Sequence, residues 1–267
     1  MDLEKIMRTA TRAAYRAGRI LNGHFGSVKQ LPKKGAIDLV TEADLEAEQA
    51  IIATIREIYP DHGILAEESG ASGNSQAGRQ TWRWIIDPLD GTTNYAHALP
   101  IYAVSIAFAQ QEKVLMGLVF NPSSGELFTA FHGQGAQLNG EAIGVSSTEK
   151  LNESLLVTGF PYTVATHTPR WAMARFERCL TSAQGVRRLG SAALDLCYVA
   201  CGRFEGFWEE NLKPWDTAAG MCIVEEAGGV ISDYSGQPYS IEDRQILATN
   251  SHIHSEMVTL LTGEDTY

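Results

Sequence analysis

The sequence predicts a mixed α and β fold, with helices followed by an antiparallel meander in residues 1–145 and alternating strands and helices in residues 146–267. Three observations lead there. Apolar residues recur at helical spacing near the N-terminus, and runs of β-branched and aromatic residues separated by Gly, Pro and Asn turns fill the middle. From residue 155, short apolar runs alternate with longer helical patterns. No repeat, low-complexity linker or clean boundary lies near residue 146, so residues 1–145 and 146–267 read as sub-domains of one unit. With 44% hydrophobic and 20% charged residues, the 267-residue chain has the composition of a soluble globular protein. Lys plus Arg number 21 against 32 Asp plus Glu, a net charge of −11, and no basic run exceeds Lys33-Lys34 or Arg187-Arg188. Nucleic acid is a poor partner for such a surface. No apolar run approaches the ~20 residues of a membrane span. Cys179, Cys197, Cys201 and Cys222 form no C-x-x-C pair, and Cys197 and Cys201 read as the apolar face of a helix, so a reducing, cytoplasmic setting is expected.

Taken in order, Leu3, Ile6, Met7, Ala10, Ala13, Ala14, Ala17, Ile20 and Leu21 mark an amphipathic helix that Gly23 and Gly26 end. A polar turn over residues 29–36 leads to Thr41, which with Asp44 three residues on resembles a capping box for a helix reaching about Ile58. That cap alone accounts for Asp44. Residues 63–66 read as a short strand ending in the Glu67-Glu68 pair, and adjacent acids at a strand end are usually just solvated. Residues 69–80, rich in Gly and Ser, read as a mobile loop. A strand over residues 101–109 is followed by a hairpin, residues 114–120 and 126–131, and by Gly-rich turns to Val145. The second half then reads LLVTG, a helix over residues 169–180, VRRLG, a helix over 192–200, FEGFWE, a helix over 215–227, VISD, ILATN and a last helix from His254.

Residues 82–100, WRWIIDPLDGTTNYAHALP, organise the chain. The aromatic and β-branched start predicts a buried strand that delivers Asp87 at its end, with Pro88 forcing the chain out of the ladder. Asp90 follows, Gly91 relaxes the backbone, and Thr92, Thr93 and Asn94 read as the cap of a short helix. Asp87, Asp90 and the Leu89 carbonyl between them form an oxygen cage suited to a hard divalent cation. The Gly91 and Thr92 amides, at a helix start, suit an anion such as phosphate. Read in isolation, D-P-x-D-G is also an ordinary Asx-capped turn.

The longer run resembles the signature of the inositol monophosphatase family, the Mg-dependent, lithium-sensitive sugar phosphatases. A second family segment is Pro214-Trp215-Asp216-Thr217-Ala218-Ala219-Gly220, continuing to Glu226-Ala227-Gly228-Gly229, and a third is the Glu67-Glu68 pair in ILAEES. They stand in the family's order and at similar spacing over nearly the whole chain. The resemblance implies a layered αβαβα sandwich with its site between the halves, a homodimer, and two or three Mg²⁺ ions. It implies that Glu67, Asp87 and the Leu89 carbonyl hold the first ion, and Asp87, Asp90 and Asp216 the second; Asp216 also reads as the N-cap of its helix. It further implies that Thr92, with Glu67 and Asp44, orients and deprotonates the attacking water while Glu68 supports the metal shell. Gly190-Ser191-Ala192 match the segment whose backbone meets sugar hydroxyls, alongside Asp90 and Asp216. Glu209 matches the acid that binds the ring, and otherwise reads as a solvated strand-end acid.

His97 reads as a hydrogen-bonded scaffold residue. Ala98-Leu99 depart from the family's Gly and aromatic, which leaves the local loop geometry open, and Lys213 resembles bacterial-type members. The implied reaction is hydrolysis of a polyol or sugar phosphate, foremost myo-inositol monophosphate. Fructose 1,6-bisphosphate, 3′-phosphoadenosine 5′-phosphate and histidinol phosphate are the rivals on the same fold. A reading of another class is a regulatory binding protein of the transcription machinery; the intact acid set argues against lost catalysis and the −11 charge against direct RNA contact. The chain has no P-loop, so use of nucleoside triphosphates is unsupported.

Overall fold

In the computed structural model, which describes residues 2–26, 42–72, 82–160 and 170–263, the alanine-rich N-terminal stripe folds as α1 (Leu3–His24). Asp2 caps it, accepting the Lys5 N–H at 2.9 Å. Packed on it is α2 (Glu42–Arg56), which buries Ala43, Ala47, Ile51 and Ile55. The expected polar turn over residues 29–36 and Thr41 lie outside the described residues.

Both helices cover one face of an eight-stranded sheet made of β1 (Gly63–Ala66), β2 (Gly70–Ser72), β3 (Trp82–Asp90), β4 (Ala103–Gln110), β5 (Lys113–Asn121), β6 (Glu126–Phe131), β7 (Gly135–Leu138) and β8 (Glu141–Ile143). Its strand order is β2-β1-β3-β4-β5-β6-β7-β8, with β1 parallel to β3 and every other pair antiparallel. The segment expected to be a loop from residue 69 thus begins as a strand paired back on β1, and residues 73–80 lie outside the described residues. A short helix, α3 (Thr92–Ala96), joins β3 to β4.

The pleat of β3 sorts its side chains. Trp84 and Ile86 join Ile6, Leu21, Ile51 and Ile55 in the core under α1 and α2, while Ile85 belongs to a second core on the opposite face. Asp87 follows Ile85 by two residues, so it points into that second layer. There lie α5 (Ala192–Ala200) and α6 (Pro214–Glu226), buried between two sheets. Beyond them, β9 (Leu155–Thr158), β10 (Gly185–Arg187), β11 (Gly206–Glu210), β12 (Val230–Ser232) and β13 (Gln245–Thr249) form a sheet of order β10-β9-β11-β13-β12, parallel through its first three strands and antiparallel thereafter. Its outer face carries α4 (Arg170–Ser182) and α7 (His254–Thr262), whose Met257 packs with Trp208 of β11 and Leu247 of β13. The result is an αβαβα sandwich. Each fully buried aliphatic or aromatic side chain in these layers contributes roughly 1.5–3 kcal/mol, which is why both faces of both sheets are covered.

Cys179, Cys197 and Cys222 are buried free thiols and Cys201 is half-buried. Burial pushes the Cys179 and Cys222 thiols up to about 12, so they act as apolar packing, as expected of Cys197 and Cys201 on their helix. Among the described residues, no helix is long and apolar enough to cross a membrane.

Candidate active site

The expected end of the strand at Asp87 needs correction. β3 continues to Asp90, with Asp87 opposite Ser105 and Asp90 opposite Ala103, so one extra residue is bulged out. Pro88 is tolerated because β1 stops pairing with β3 at Ile86, and nothing beyond requires the missing N–H. Leu89 N–H then donates to Asp87 Oδ1 at 2.9 Å, the Leu89 side chain drops into the α1–α2 core, and Thr92 Oγ1 donates to the Leu89 carbonyl at 3.1 Å. The helix cap is Gly91, not Thr92, Thr93 or Asn94. Its φ of 91° is left-handed, and a Cβ there would lie 2.9 Å from the Ile101 carbonyl. The Asn94 amide is used elsewhere, donating to Ile101 O and Leu189 O at 2.8 Å each and so joining the two halves of the chain.

Two further helix starts meet this turn. Ser191 caps α5; its Oγ accepts the Leu194 N–H and donates to Asp90 Oδ2 at 2.5 Å, while Ala193 N–H donates to the same oxygen at 2.8 Å. Lys213 occupies the cap of α6, and Asp216, the third residue of that helix, accepts the Lys213 N–H at 2.7 Å through Oδ2. Asp216 therefore serves a reciprocal cap without being the N-cap itself. Ser105 Oγ donates to the Trp215 carbonyl at 3.1 Å, fixing α6 against the strand opposite Asp87.

Glu67 follows β1, its N–H donating to Ile86 O at 3.2 Å, one residue from Asp87. The next two amides, of Glu68 and Ser69, donate to Glu48 at 2.8 and 2.9 Å. Glu48, only 3% exposed, and buried Asp44 lie one helical turn apart on α2. Sequence reasoning passed over Glu48; the signal was an acid four residues after Asp44 on a face otherwise made of Ala43, Ala47 and Ile51. It also passed over Asn94 as a link between the halves and over Asp195, 1% exposed on α5 with neither carboxyl oxygen hydrogen-bonded.

Electrostatics set this region apart. Asp87, 1% exposed, is held well above the usual carboxylate range, first by burial and then by repulsion from Glu67, Asp90, Asp216 and Asp44. Asp90 and Asp216 keep part of their surface open. Burial raises Asp90 to about 6 against the pull of the Ser191 hydroxyl and the Ala193, Ala192 and Gly91 amides. Burial and then Asp90 raise Asp216, which the Lys213 N–H partly relieves. Glu209, 8% exposed on β11, is raised to about 8 by burial, with Arg188 opposing and Asp90 adding to the shift. Burial raises Asp195 well above its ordinary value, as do Glu209 and Asp90.

Among the described residues, no Lys or Arg forms an ion pair with Asp87, Asp90 or Asp216. Packed acids from β3 and α6 with no such counter-charge are the donor set of a hard cation bound through oxygen. Each of the three also uses one oxygen on the scaffold, and no three His, Cys, Asp or Glu side chains among the described residues close on a single point. The donors fit the cation by their chemistry, as a ring of acids rather than a finished cage.

A model of the inositol monophosphatase family matches residues 2–264. The chain belongs to that family. An inositol-1-monophosphatase of a Synechocystis strain is 48% identical over 98% of this chain and 90% of its own length. The structure of an inositol monophosphatase from Anabaena (Nostoc) superposes with a TM-score of 0.89 at 42% identity, covering 99% of this chain and 98% of the other. A Salmonella typhimurium protein named Nus factor SuhB is 40% identical over 98% of this chain and 97% of its own length. The αβαβα sandwich is thus that of the family, and the chain is a phosphoric monoester hydrolase of the inositol monophosphatase family, a metal-dependent one.

Of the residues picked out in the sequence, Glu67, Asp90, Asp216 and Asp44 come close enough to Asp87 to repel it together. Gly91 and Thr92 stand at the same turn, 3.3 Å separates a Gly91 Cβ position from the Gly190 carbonyl, and Ser191 and Ala192 open the adjoining helix. Glu68 joins through its amide. His97 is exposed, its backbone N–H closing α3.

Proposed function

We propose that the protein hydrolyses a polyol monophosphate, foremost myo-inositol monophosphate, with two or three Mg²⁺ ions. What carries the reading is the convergence of Asp87 and Asp90 of β3 with Asp216 of α6 and with Glu67 after β1, where among the described residues no Lys or Arg forms an ion pair with Asp87, Asp90 or Asp216. Glu67, Asp87 and the Leu89 carbonyl would hold one ion, and Asp87, Asp90 and Asp216 another. When bound, Mg²⁺ supplies charge neutralisation at the phosphoryl oxygens and a lowered pKa for the attacking water.

The residues do the rest. The Thr92 hydroxyl donates its hydrogen bond to the Leu89 carbonyl, so its oxygen is left as an acceptor that orients the attacking water. Glu67 and Asp44 are the bases that receive the water's proton. Glu68 supports the metal shell through its place beside Glu67, and Glu48 keeps that turn in place by accepting two of its amides. The Gly91 and Thr92 amides face the phosphate. Asp90, Gly190, Ser191, Ala192, Glu209 and Asp216 meet the substrate's hydroxyls, so residues 1–145 serve mainly metal and phosphate and residues 146–267 mainly selection, with Asp90 and Asp216 serving both. Li⁺ would inhibit by occupying a position that Mg²⁺ otherwise holds at these acids, and the protein would act as a homodimer.

The test is phosphate release from inositol 1-phosphate, fructose 1,6-bisphosphate, 3′-phosphoadenosine 5′-phosphate and histidinol phosphate, with Mg²⁺, with EDTA, and with Li⁺ against a Na⁺ control. Inositol 1-phosphate should be hydrolysed fastest, only with Mg²⁺ and less with Li⁺; full activity in EDTA overturns the metal reading. The relative named Nus factor SuhB favours a second role in transcription, tested by association of the purified protein with transcription complexes.

A further inference from the structure

Glu209 is anchored differently from the other acids of the site. Its carboxyl is nearly buried, yet among the described residues no side chain or amide donates a hydrogen bond to it, and Arg188 is the one cation that lowers its pKa. Its position is set by space. The parallel register pairs Leu156, Val157 and Thr158 of β9 with Gly206, Phe207 and Trp208 of β11, so the next residue along, Gly159, comes beside Glu209. The Thr158 hydroxyl locks that register by donating to the Trp208 carbonyl at 2.6 Å. A Cβ placed on Gly159 would lie 2.0 Å from Glu209 Oε2 and 2.2 Å from both Cδ and Oε1. The carboxyl therefore occupies the volume that any other residue at 159 would fill. Gly159 has no left-handed φ, so the backbone itself does not require glycine there.

We propose that Gly159 is a specificity-determining residue: its bare Cα reserves the seat of the Glu209 carboxyl and so fixes where that acid meets the ring hydroxyls of a cyclic polyol phosphate. This rests on the reading of Glu209 in the proposed function. The chemistry on the page selects the ligand class. A buried carboxyl without a protein donor is costly until a donor arrives, and on its flank Asp195 is equally unpartnered. Hydroxyl groups of a ring supply such donors without adding negative charge next to Asp90 and Asp195.

The experiment compares wild type, Gly159→Ala, Glu209→Asp and the double variant on myo-inositol 1-phosphate and on phenyl phosphate, which has no ring hydroxyl, in saturating Mg²⁺. Gly159→Ala should push the carboxyl off its seat and raise KM for inositol 1-phosphate about tenfold, with kcat and phenyl phosphate hydrolysis little changed. Glu209→Asp, one methylene shorter, leaves room for the Ala methyl. The double variant should therefore bind inositol 1-phosphate better than the product of the two single effects. A crystal structure of Gly159→Ala should show the carboxyl displaced by about 1 Å or more, as ordinary contact distances demand. An unmoved carboxyl, an unchanged KM, or an equal loss of kcat on both esters overturns the proposal, as do strictly additive effects. If the wild type released no phosphate from either ester, the functional reading would fall, while the position of the carboxyl would still decide the seat.

Discussion

Asp90 and Glu209 are both enclosed acids at one site, and they are held in opposite ways. Asp90 is gripped by donors, the Ser191 hydroxyl at 2.5 Å and the Ala193 amide at 2.8 Å, which restrain its pKa to about 6. Glu209 has no donor among the described residues, sits in the volume left by a glycine, and rises to about 8. Donors orient Asp90 and lower its pKa against the burial that raises it. An acid placed only by steric fit waits for donors that a substrate brings. The two acids thus differ in what surrounds each carboxyl.

The sharpest way to break that contrast is to remove a charge from the donor-held set. Asp87→Asn should fold normally, because burial already disfavours the ionised form, yet lose turnover by at least the roughly 10²–10³-fold that follows from deleting one electrostatic stabiliser. Circular dichroism with steady-state kinetics on inositol 1-phosphate checks it. A normal kcat would mean that Asp87 holds no metal.

Next in size is Glu48. Glu48→Gln replaces one of two acceptors by an NH₂ facing an amide N–H of Glu68 or Ser69. The Mg²⁺ concentration for half-maximal activity should rise by about 10–100-fold, the usual effect of losing a group that orients a ligand. Thermal stability should change much less than metal affinity.

The pH dependence of the metal-free protein follows from the raised acids. Asp90 and Glu209 ionise near their ordinary 3.8 and 4.5 in the unfolded chain and near 6 and 8 when folded. The folded state therefore holds more protons in between, and stability must fall as pH rises from about 4 to about 8. Melting in EDTA at pH 5, 6, 7 and 8 should show Tm decreasing along that series, with Mg²⁺ restoring most of the loss at pH 8. A flat or rising Tm in EDTA would contradict the raised values.

The smallest effect expected is a gain. Ala98 stands where the family usually has Gly, and it keeps that left-handed conformation, φ 55°, with its N–H on the Tyr95 carbonyl at 3.0 Å. Ala98→Gly should stabilise the fold by about 1 kcal/mol in chemical denaturation without altering kcat, because the side chain is exposed.

Much of this was legible in the residues. The order of strands and helices after residue 155 followed from apolar period and turn residues, and the Asp87, Asp90 and Asp216 cluster followed from the family segments. Other features depend on partners far along the chain. Pro88 is tolerated inside β3 because β1 ends at Ala66, and no local propensity states where a neighbouring strand stops. Asn94 looked like a helix cap because its partner at Leu189 lies 95 residues away. Gly159 looked like a strand end, since only the parallel pairing of β9 with β11 brings Glu209 onto it.

The joint made by Asn94 has a consequence for the history of such a site. Its amide grips the carbonyls of Ile101 and Leu189, atoms present in every residue type. The tether between the turn after β3 and the segment before α5 is therefore blind to side chains at positions 101 and 189. Sequence there can drift, or be exchanged with that of another phosphatase to change the ester accepted, without untying the two halves.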